Sequence, residues 1–280
     1  MSGLAAEALE RYRADGVLFP LPAIAGDEIA ALNALLARHG AARDGSLPAI
    51  FNLKAHLLFP DLWNLVHDSR IVDPVASLLG PDVLCWAASF FDKPAGSVAN
   101  VAWHQDATYW GLARPDALTA WIAFTPSTPE NGCMRVVRGS HVSQRRHVDA
   151  GDPENMLPGG ERIAATVDEA TAVDVVLQPG EMSIHHLLTV HGSAPNRSVN
   201  RRCGFAIRYV AAATPQARGH RASATLVRGR DHGTFGLEEM PLSDLDPAAL
   251  RRYGAIVRES ARMVRQEIGR HREEIWQGEP

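Results

Sequence analysis

A mainly β fold with flanking helices, built on a jelly-roll barrel, is what this 280-residue sequence predicts. Three observations carry that expectation. Between Val83 and Val210 a series of short apolar or aromatic runs follow one another, most of them separated by Gly, Pro or Asn, as strands and turns are. The segments before and after this stretch place apolar residues at helical spacing instead. No repeat or low-complexity linker divides the chain, so one domain is expected. It would comprise a helical support over about 1–80, a jelly-roll core over about 81–212, and a lid with a helix over about 213–280.

The elements follow in order. Leu4–Ala14 favours helix and stops at the turn signal Asp15-Gly16, after which Val17-Leu18-Phe19 reads as a short strand. Asp27 can cap a helix whose Ile29, Leu32, Leu35 and Leu36 share one face. Asp61–His67 and Ile71–Leu79 read as two further helices. The β runs are Val83–Phe91, Val98–Trp103, Leu118–Phe124, Arg135–Val137, Asp174–Leu177, Glu181–His185 and Gly204–Val210. Asn131-Gly132 is a tight-turn signal between Trp121–Phe124 and Met134–Val137. Asp149–Glu169 is polar and contains Gly and Pro, the composition of a surface insertion. Asp231–Phe235 has the composition of a loop and is a candidate lid. Pro247–Ile275 returns to helix, with Leu250, Tyr253, Ile256 and Val257 along one stripe.

Composition narrows the function classes. A hydrophobic content of 46% supports a substantial core, and a net charge of −4 without a basic run argues against a nucleic-acid partner. Nothing approaches 18 consecutive apolar residues, so no membrane span is expected. Cys85, Cys133 and Cys203 form neither a disulfide framework nor a zinc-type pair. The start, Met1-Ser2-Gly3-Leu4, lacks the basic and apolar pattern of a secretory signal, and the expected location is the cytoplasm. A small-molecule substrate is the expected partner, and the oligomeric state is left open.

The chemistry concentrates in His104-Gln105-Asp106 and in His191, which lies 85 residues beyond Asp106. Two imidazoles and one carboxylate can occupy one face of an octahedral metal, the arrangement of non-haem Fe(II) oxygenases. In a strand, His104 and Asp106 would point to the same face. The chain has 12 histidines, so a His-x-Asp match alone leaves a core or surface histidine open. His185 and His186 compete with His191 for the distal position, or pack in the core or behind the ligands. His141 reads as closing a turn. Arg202 follows His191 by 11 residues. A guanidinium there offers a planar, permanently charged partner for the distal carboxylate of 2-oxoglutarate, with Ser193 as a second donor. On spacing alone, a solvated arginine beside Arg201 and Arg197 is an equal reading.

Taken together, these segments resemble the phytanoyl-CoA dioxygenase family of Fe(II)/2-oxoglutarate-dependent oxygenases. The resemblance rests on Trp103-His104-Gln105-Asp106, Thr119-Ala120-Trp121, Asn131-Gly132-Cys133 with Gly139-Ser140-His141, and His191-Gly192-Ser193-Ala194-Pro195-Asn196 followed by Arg202. It runs from about Leu79 to Val210, and Arg138 departs from it where the family usually has proline.

The resemblance implies a double-stranded β-helix of the cupin-like kind. It also implies Fe(II) on His104, Asp106 and His191, and 2-oxoglutarate on Arg202 and Ser193 with Gln105 and Trp121 lining its pocket. The implied reaction uses O2, converts 2-oxoglutarate to succinate and CO2, and hydroxylates an unactivated C–H bond of a small metabolite or natural-product intermediate. Halogenating relatives replace the metal carboxylate by a small residue, so Asp106 favours hydroxylation. Desaturation, cyclisation or C–heteroatom cleavage by the same chemistry is the alternative, and a non-catalytic metabolite-binding or metal-sensing barrel is a further one. Trp103, Tyr109, Trp110, Arg208, His232 and Phe235 are candidate substrate contacts. The aromatics among them suit an apolar or cationic group and Arg208 suits an acidic one.

Overall fold

The computed structural model describes residues 3–40, 45–157, 160–217 and 222–270, with the side chains of Thr108, Tyr109, Asp149 and residues 263–270 outside that description. Helix α1 (Ala6–Asp15) ends where Gly16 adopts φ +73°, a left-handed position that glycine takes without strain. Strand β1 (Val17–Pro22) follows. Helix α2 (Gly26–Arg38) buries Ile29, Leu32, Leu35 and Leu36, as its periodicity requires. Its cap differs from expectation. Ala25 is the N-cap residue and its N–H is held by the Glu28 carboxylate at 3.0 Å. Asp27 sits inside the first turn, where its charge meets the positive end of the helix. Helices α3 (Pro60–His67) and α4 (Ser69–Leu79) pack beside it.

The remaining strands are β2 (Val83–Lys93), β3 (Val101–His104), β4 (Ala117–Ala123), β5 (Met134–Val137), β6 (His147–Asp149), β7 (Glu161–Ile163) and β8 (Ala172–Val175). They continue with β9 (Glu181–His186), β10 (His191–Ser193), β11 (Arg202–Ala211), β12 (Ser223–Arg228) and β13 (Gly236–Leu237), before helix α5 (Pro247–Arg270). A large sheet has the order β1-β9-β4-β11-β2-β12-β13, and a smaller one the order β3-β10-β5-β8. Every pair in both is antiparallel except β12 with β13. Val136 and Val175 of the small sheet meet Trp121 and Ala206 of the large sheet to form the barrel interior. The outer face of the large sheet, with Phe90, Ile122, Phe205 and Ile207, takes the apolar faces of α2, α3 and α4. The jelly-roll expectation is thereby met.

Four local expectations change. The segment 149–169 is a folded β6–β7 ladder with buried Glu161 and Ile163, in addition to surface loop. The run from Val98 becomes strand only at Val101, because Val98 is exposed. Asn131-Gly132 does make a turn, with Gly132 at φ +73°, but it joins strands of different sheets and not the arms of a hairpin. A side chain at 132 would strike the Ala194 carbonyl at 2.2 Å, so glycine lets this turn press against the chain just after Ser193.

The divisions near residues 80 and 212 also do not separate layers, since β1 precedes one and β12 follows the other, and both lie in the large sheet. The loop around His232 joins β12 to β13. Asp82 receives the Arg230 N–H at 2.9 Å and lies 2.8 Å from His232, while Thr234 bonds the Ala212 carbonyl. Beyond it a buried ion pair, Lys54 to Glu238 at 2.6 Å, ties the residues after β13 to the chain before α3. No helix among the described residues is long and apolar enough to cross a membrane.

Candidate metal centre and cosubstrate pocket

Antiparallel pairing of β3 with β10 sets His104 opposite His191, and their ring centroids are 4.0 Å apart. Strand β3 ends at His104. Gln105 keeps an extended backbone, φ −123° and ψ 134°, so alternation carries on for one more residue and Asp106 returns to the inner face at the start of a 3-10 turn. One donor atom from each of His104, Asp106 and His191 then lies within 4.8 Å of the others. Among the described residues this is the one group of three His, Cys, Asp or Glu side chains so placed.

The hydrogen bonds decide which atoms face the gap. Nδ1 of His104 is 2.9 Å from the Ala102 carbonyl, and Nδ1 of His191 is 2.9 Å from the Thr189 carbonyl. A carbonyl accepts only, so each Nδ1 carries the proton and each Nε2 keeps a lone pair for a metal. Oδ2 of Asp106 accepts from the Thr119 hydroxyl at 2.9 Å, leaving Oδ1 for the ion. Burial opposes the Asp106 charge, but His104, His185, His191 and Arg208 more than offset it and hold the carboxyl well below its usual range. Burial, with the neighbouring His104 and His185, pushes His191 far below the usual imidazole range. A neutral imidazole and an ionised carboxylate are the forms that bind a cation.

The triad opens on a cavity with about 400 Å³ of empty space, lined by both sheets. Arg202 enters it from the start of β11, 2% exposed, with no hydrogen-bond partner at Nε. Its guanidinium carbon lies 4.5 Å from the Trp121 ring centroid. That close approach depends on Gly204, where a Cβ would fall 1.8 Å from the indole. Desolvation lowers Arg202 to about 10, the mark of a buried cation lacking an anion. Ser193 lines the same cavity and accepts from the Lys93 ammonium at 2.6 Å, which leaves its own O–H free to donate. Arg208 and Trp121 line it as well.

Other expected contacts lie elsewhere. Gln105 is fully buried and turned from the cavity, donating to the Ser143 and Leu188 carbonyls and accepting from the Arg145 N–H. Trp103 is on the outer side of its strand, 5.6 Å beneath the Arg135 guanidinium. Trp110 stacks on Trp86 with centroids 5.0 Å apart, and Phe235 joins that apolar cluster without lining the cavity. His232 pairs with Asp82 near the surface. The Tyr109 side chain lies outside the described residues. His141 bonds the Arg13 carbonyl at 3.2 Å, consistent with closing a turn.

Sequence reasoning missed Lys93 and left Thr119 unassigned, although Thr119 shares strand parity with Trp121. It placed His185 behind the ligands, and the ring does sit 3.7 Å from Asp106 and 4.5 Å from the His191 ring.

Comparison with known proteins agrees with this geometry. A family model described as phytanoyl-CoA dioxygenase (PhyH) matches residues 12–204. A probable alpha-ketoglutarate-dependent hypophosphite dioxygenase of Stutzerimonas stutzeri is 31% identical over 222 residues, 75% of each chain. A solved non-heme monooxygenase, ThoJ in complex with nickel, is 38% identical, with TM-score 0.77, 93% of this chain and 99% of that one. CytC3 with Fe(II) and alpha-ketoglutarate is 25% identical, with TM-score 0.63, 87% of this chain and 96% of that one.

Proposed function

The chain belongs to the phytanoyl-CoA dioxygenase family of iron- and 2-oxoglutarate-dependent oxygenases, and from that premise we propose that it hydroxylates a C–H bond of a small metabolite. The observation that carries the reading is the pairing of an intact metal carboxylate, Asp106, with a buried and unpartnered Arg202 in one cavity. Asp106 fills the position that a halogenating oxygenase leaves to chloride. The cavity is small and must house cosubstrate and substrate together, which supports a small substrate. The hypophosphite named for the Stutzerimonas relative is a small anion as well.

The residues divide the work. Bound iron supplies the redox chemistry that couples O2 to decarboxylation of 2-oxoglutarate, giving succinate and CO2. His104, Asp106 and His191 fit such an ion because each is pre-oriented by its second hydrogen bond. Arg202 and Ser193 would hold the distal carboxylate, a charge-assisted pair in a dry site. Trp121 supports the Arg202 guanidinium, and Lys93 turns the Ser193 hydroxyl so that its proton points to the carboxylate. Phe91, Val101, Met134 and Ala206 keep the walls apolar and exclude water from the reacting centre.

The experiment is conversion of 2-oxoglutarate to succinate with and without Fe(II), in wild type and in Asp106→Ala, His104→Ala and His191→Ala. Succinate formation should require Fe(II) and be lost in all three variants. Normal turnover by a folded Asp106→Ala protein would sink the assignment.

A further inference from the structure

The inner face of the large sheet carries one row of polar side chains that the cosubstrate leaves unexplained. His185 on β9 is the register partner of Thr119 on β4, and Thr119 is the partner of Arg208 on β11. The three side chains therefore stand side by side under the metal triad, with Thr119 in the middle holding Asp106.

The two outer members of the row lack partners suited to them. Arg208 lines the cavity and gives one N–H to the Ser89 hydroxyl at 2.7 Å. Its carbon lies 5.8 Å from the Phe91 ring centroid, which steadies the guanidinium plane. No other described side chain is recorded as bonding it. A guanidinium has five N–H donors, so most of its hydrogen-bonding capacity faces space that the protein does not fill. Asp106 is the nearby acid, and its oxygens are taken by Thr119 and the metal position. His185 is 1% exposed, and neither of its ring nitrogens has a hydrogen-bond partner. Buried donors left unmet on this scale are costly unless a ligand completes them.

That ligand is not 2-oxoglutarate. Arg202 and Arg208 are six residues apart on one strand, on the order of 20 Å between their Cα positions. Gly204 and Ala206 lie between them on the same face. The distal carboxylate belongs at the Arg202 end. Arg208 stands beside the metal, where the substrate has to sit.

The geometry points to Arg208 as the seat for an anionic group of the substrate, a carboxylate or phosphonate-type oxyanion, with His185 across Thr119 as a second donor. The inference rests on the oxygenase reading above and narrows its substrate class. Arg208 would fix one end of the molecule by charge-assisted hydrogen bonds and so choose which carbon faces the metal.

The test is calorimetric titration of protein loaded with redox-inert Ni(II) and 2-oxoglutarate, using methylphosphonate and 2-methylpropanoate as probes and 2-methylpropanamide as the neutral control. Wild type should bind at least one of the anions and discriminate against the amide. Arg208→Gln should weaken the anion about tenfold or more, and Arg208→Lys by less, since it keeps the charge but not the fork. Ser89→Ala should weaken it several-fold by freeing the guanidinium. The affinity for 2-oxoglutarate should stay within about threefold in all variants, and thermal melts establish that each is folded.

Anion binding unchanged in Arg208→Gln, no anion binding by wild type, or equal binding of the amide would overturn the proposal. So would loss of 2-oxoglutarate binding in Arg208→Gln, which would assign the residue to the cosubstrate. Failure of wild type to bind Ni(II) and 2-oxoglutarate at all would instead overturn the oxygenase reading.

Discussion

Replacing Gly204 by alanine tests how the cosubstrate anchor is built. In an ordinary strand this change stabilises slightly, by roughly 0.4–1 kcal/mol, because alanine has less freedom to lose. Here the added Cβ would lie 1.8, 2.2 and 2.4 Å from three atoms of the Trp121 indole. Ordinary contact needs about 3.5–4 Å, so the ring has to retreat by roughly 2 Å. It has little room, because Trp121 is 4% exposed and packed among Met134, Val136 and Ala206. Overpacking of this kind costs about 1–3 kcal/mol, which for a chain of this size lowers Tm by roughly 2–12 °C.

A second readout follows from the guanidinium stacked on that indole at 4.5 Å. Losing the stack forfeits about 0.5–2 kcal/mol of orientation, a roughly 2- to 30-fold rise in the Kd for 2-oxoglutarate. Differential scanning calorimetry and calorimetric titration of the metal-loaded protein read the two effects separately. In the double variant Gly204→Ala/Trp121→Leu the stability should recover in part while the affinity does not. A Gly204→Ala protein with wild-type Tm and wild-type affinity would refute the account.

Two further outcomes follow from single hydrogen bonds and buried charges. Thr119→Val removes the donor that holds Oδ2 of Asp106, and metal affinity should fall about 10- to 100-fold in a chelator competition, with Thr119→Ser close to wild type. Lys93 is lowered from the ordinary 10.5 to about 6 by burial and by the charge of Arg202. Between those values the unfolded chain binds a proton that the folded chain does not, so Lys93 makes stability rise with pH over that range. The Tm of ligand-free wild type minus that of Lys93→Met should therefore climb from pH 6 to pH 9, and a flat difference would count against it.

Periodicity made much of the fold legible. The α2 face of Ile29, Leu32, Leu35 and Leu36 and the apolar runs that became β2, β4 and β11 needed no tertiary information. Strand β12 was missed because Ser223–Arg228 is short and mixes polar with apolar residues. Its place is set by a pairing with β2 across more than a hundred residues, and no local signal records that. The β6–β7 ladder escaped for a related reason. Its buried residues are few, and Gly, Pro and Asp around them give the composition of a loop.

The site shows why some candidates were found and others misplaced. Trp103, Trp110, His232 and Phe235 were chosen for closeness along the chain, whereas side-chain direction depends on parity. Trp103 precedes His104 by one residue and so had to face the other side of β3, where Arg135 and Glu169 meet it. The same rule turned Gln105 away from the cavity. Arg208 was placed well because its separation from Arg202 is even. Lys93 could not be found this way, since its contact comes from the register that sets it opposite Arg202. Register depends on how two whole strands match, with a shift between Arg208 and Tyr209 on one of them. That shift falls immediately after Arg208, so the in-register ladder runs unbroken from Arg202 to Arg208. Both guanidiniums therefore share one face of the sheet, and a one-residue displacement of the bulge toward Arg202 would turn Arg208 out of the cavity.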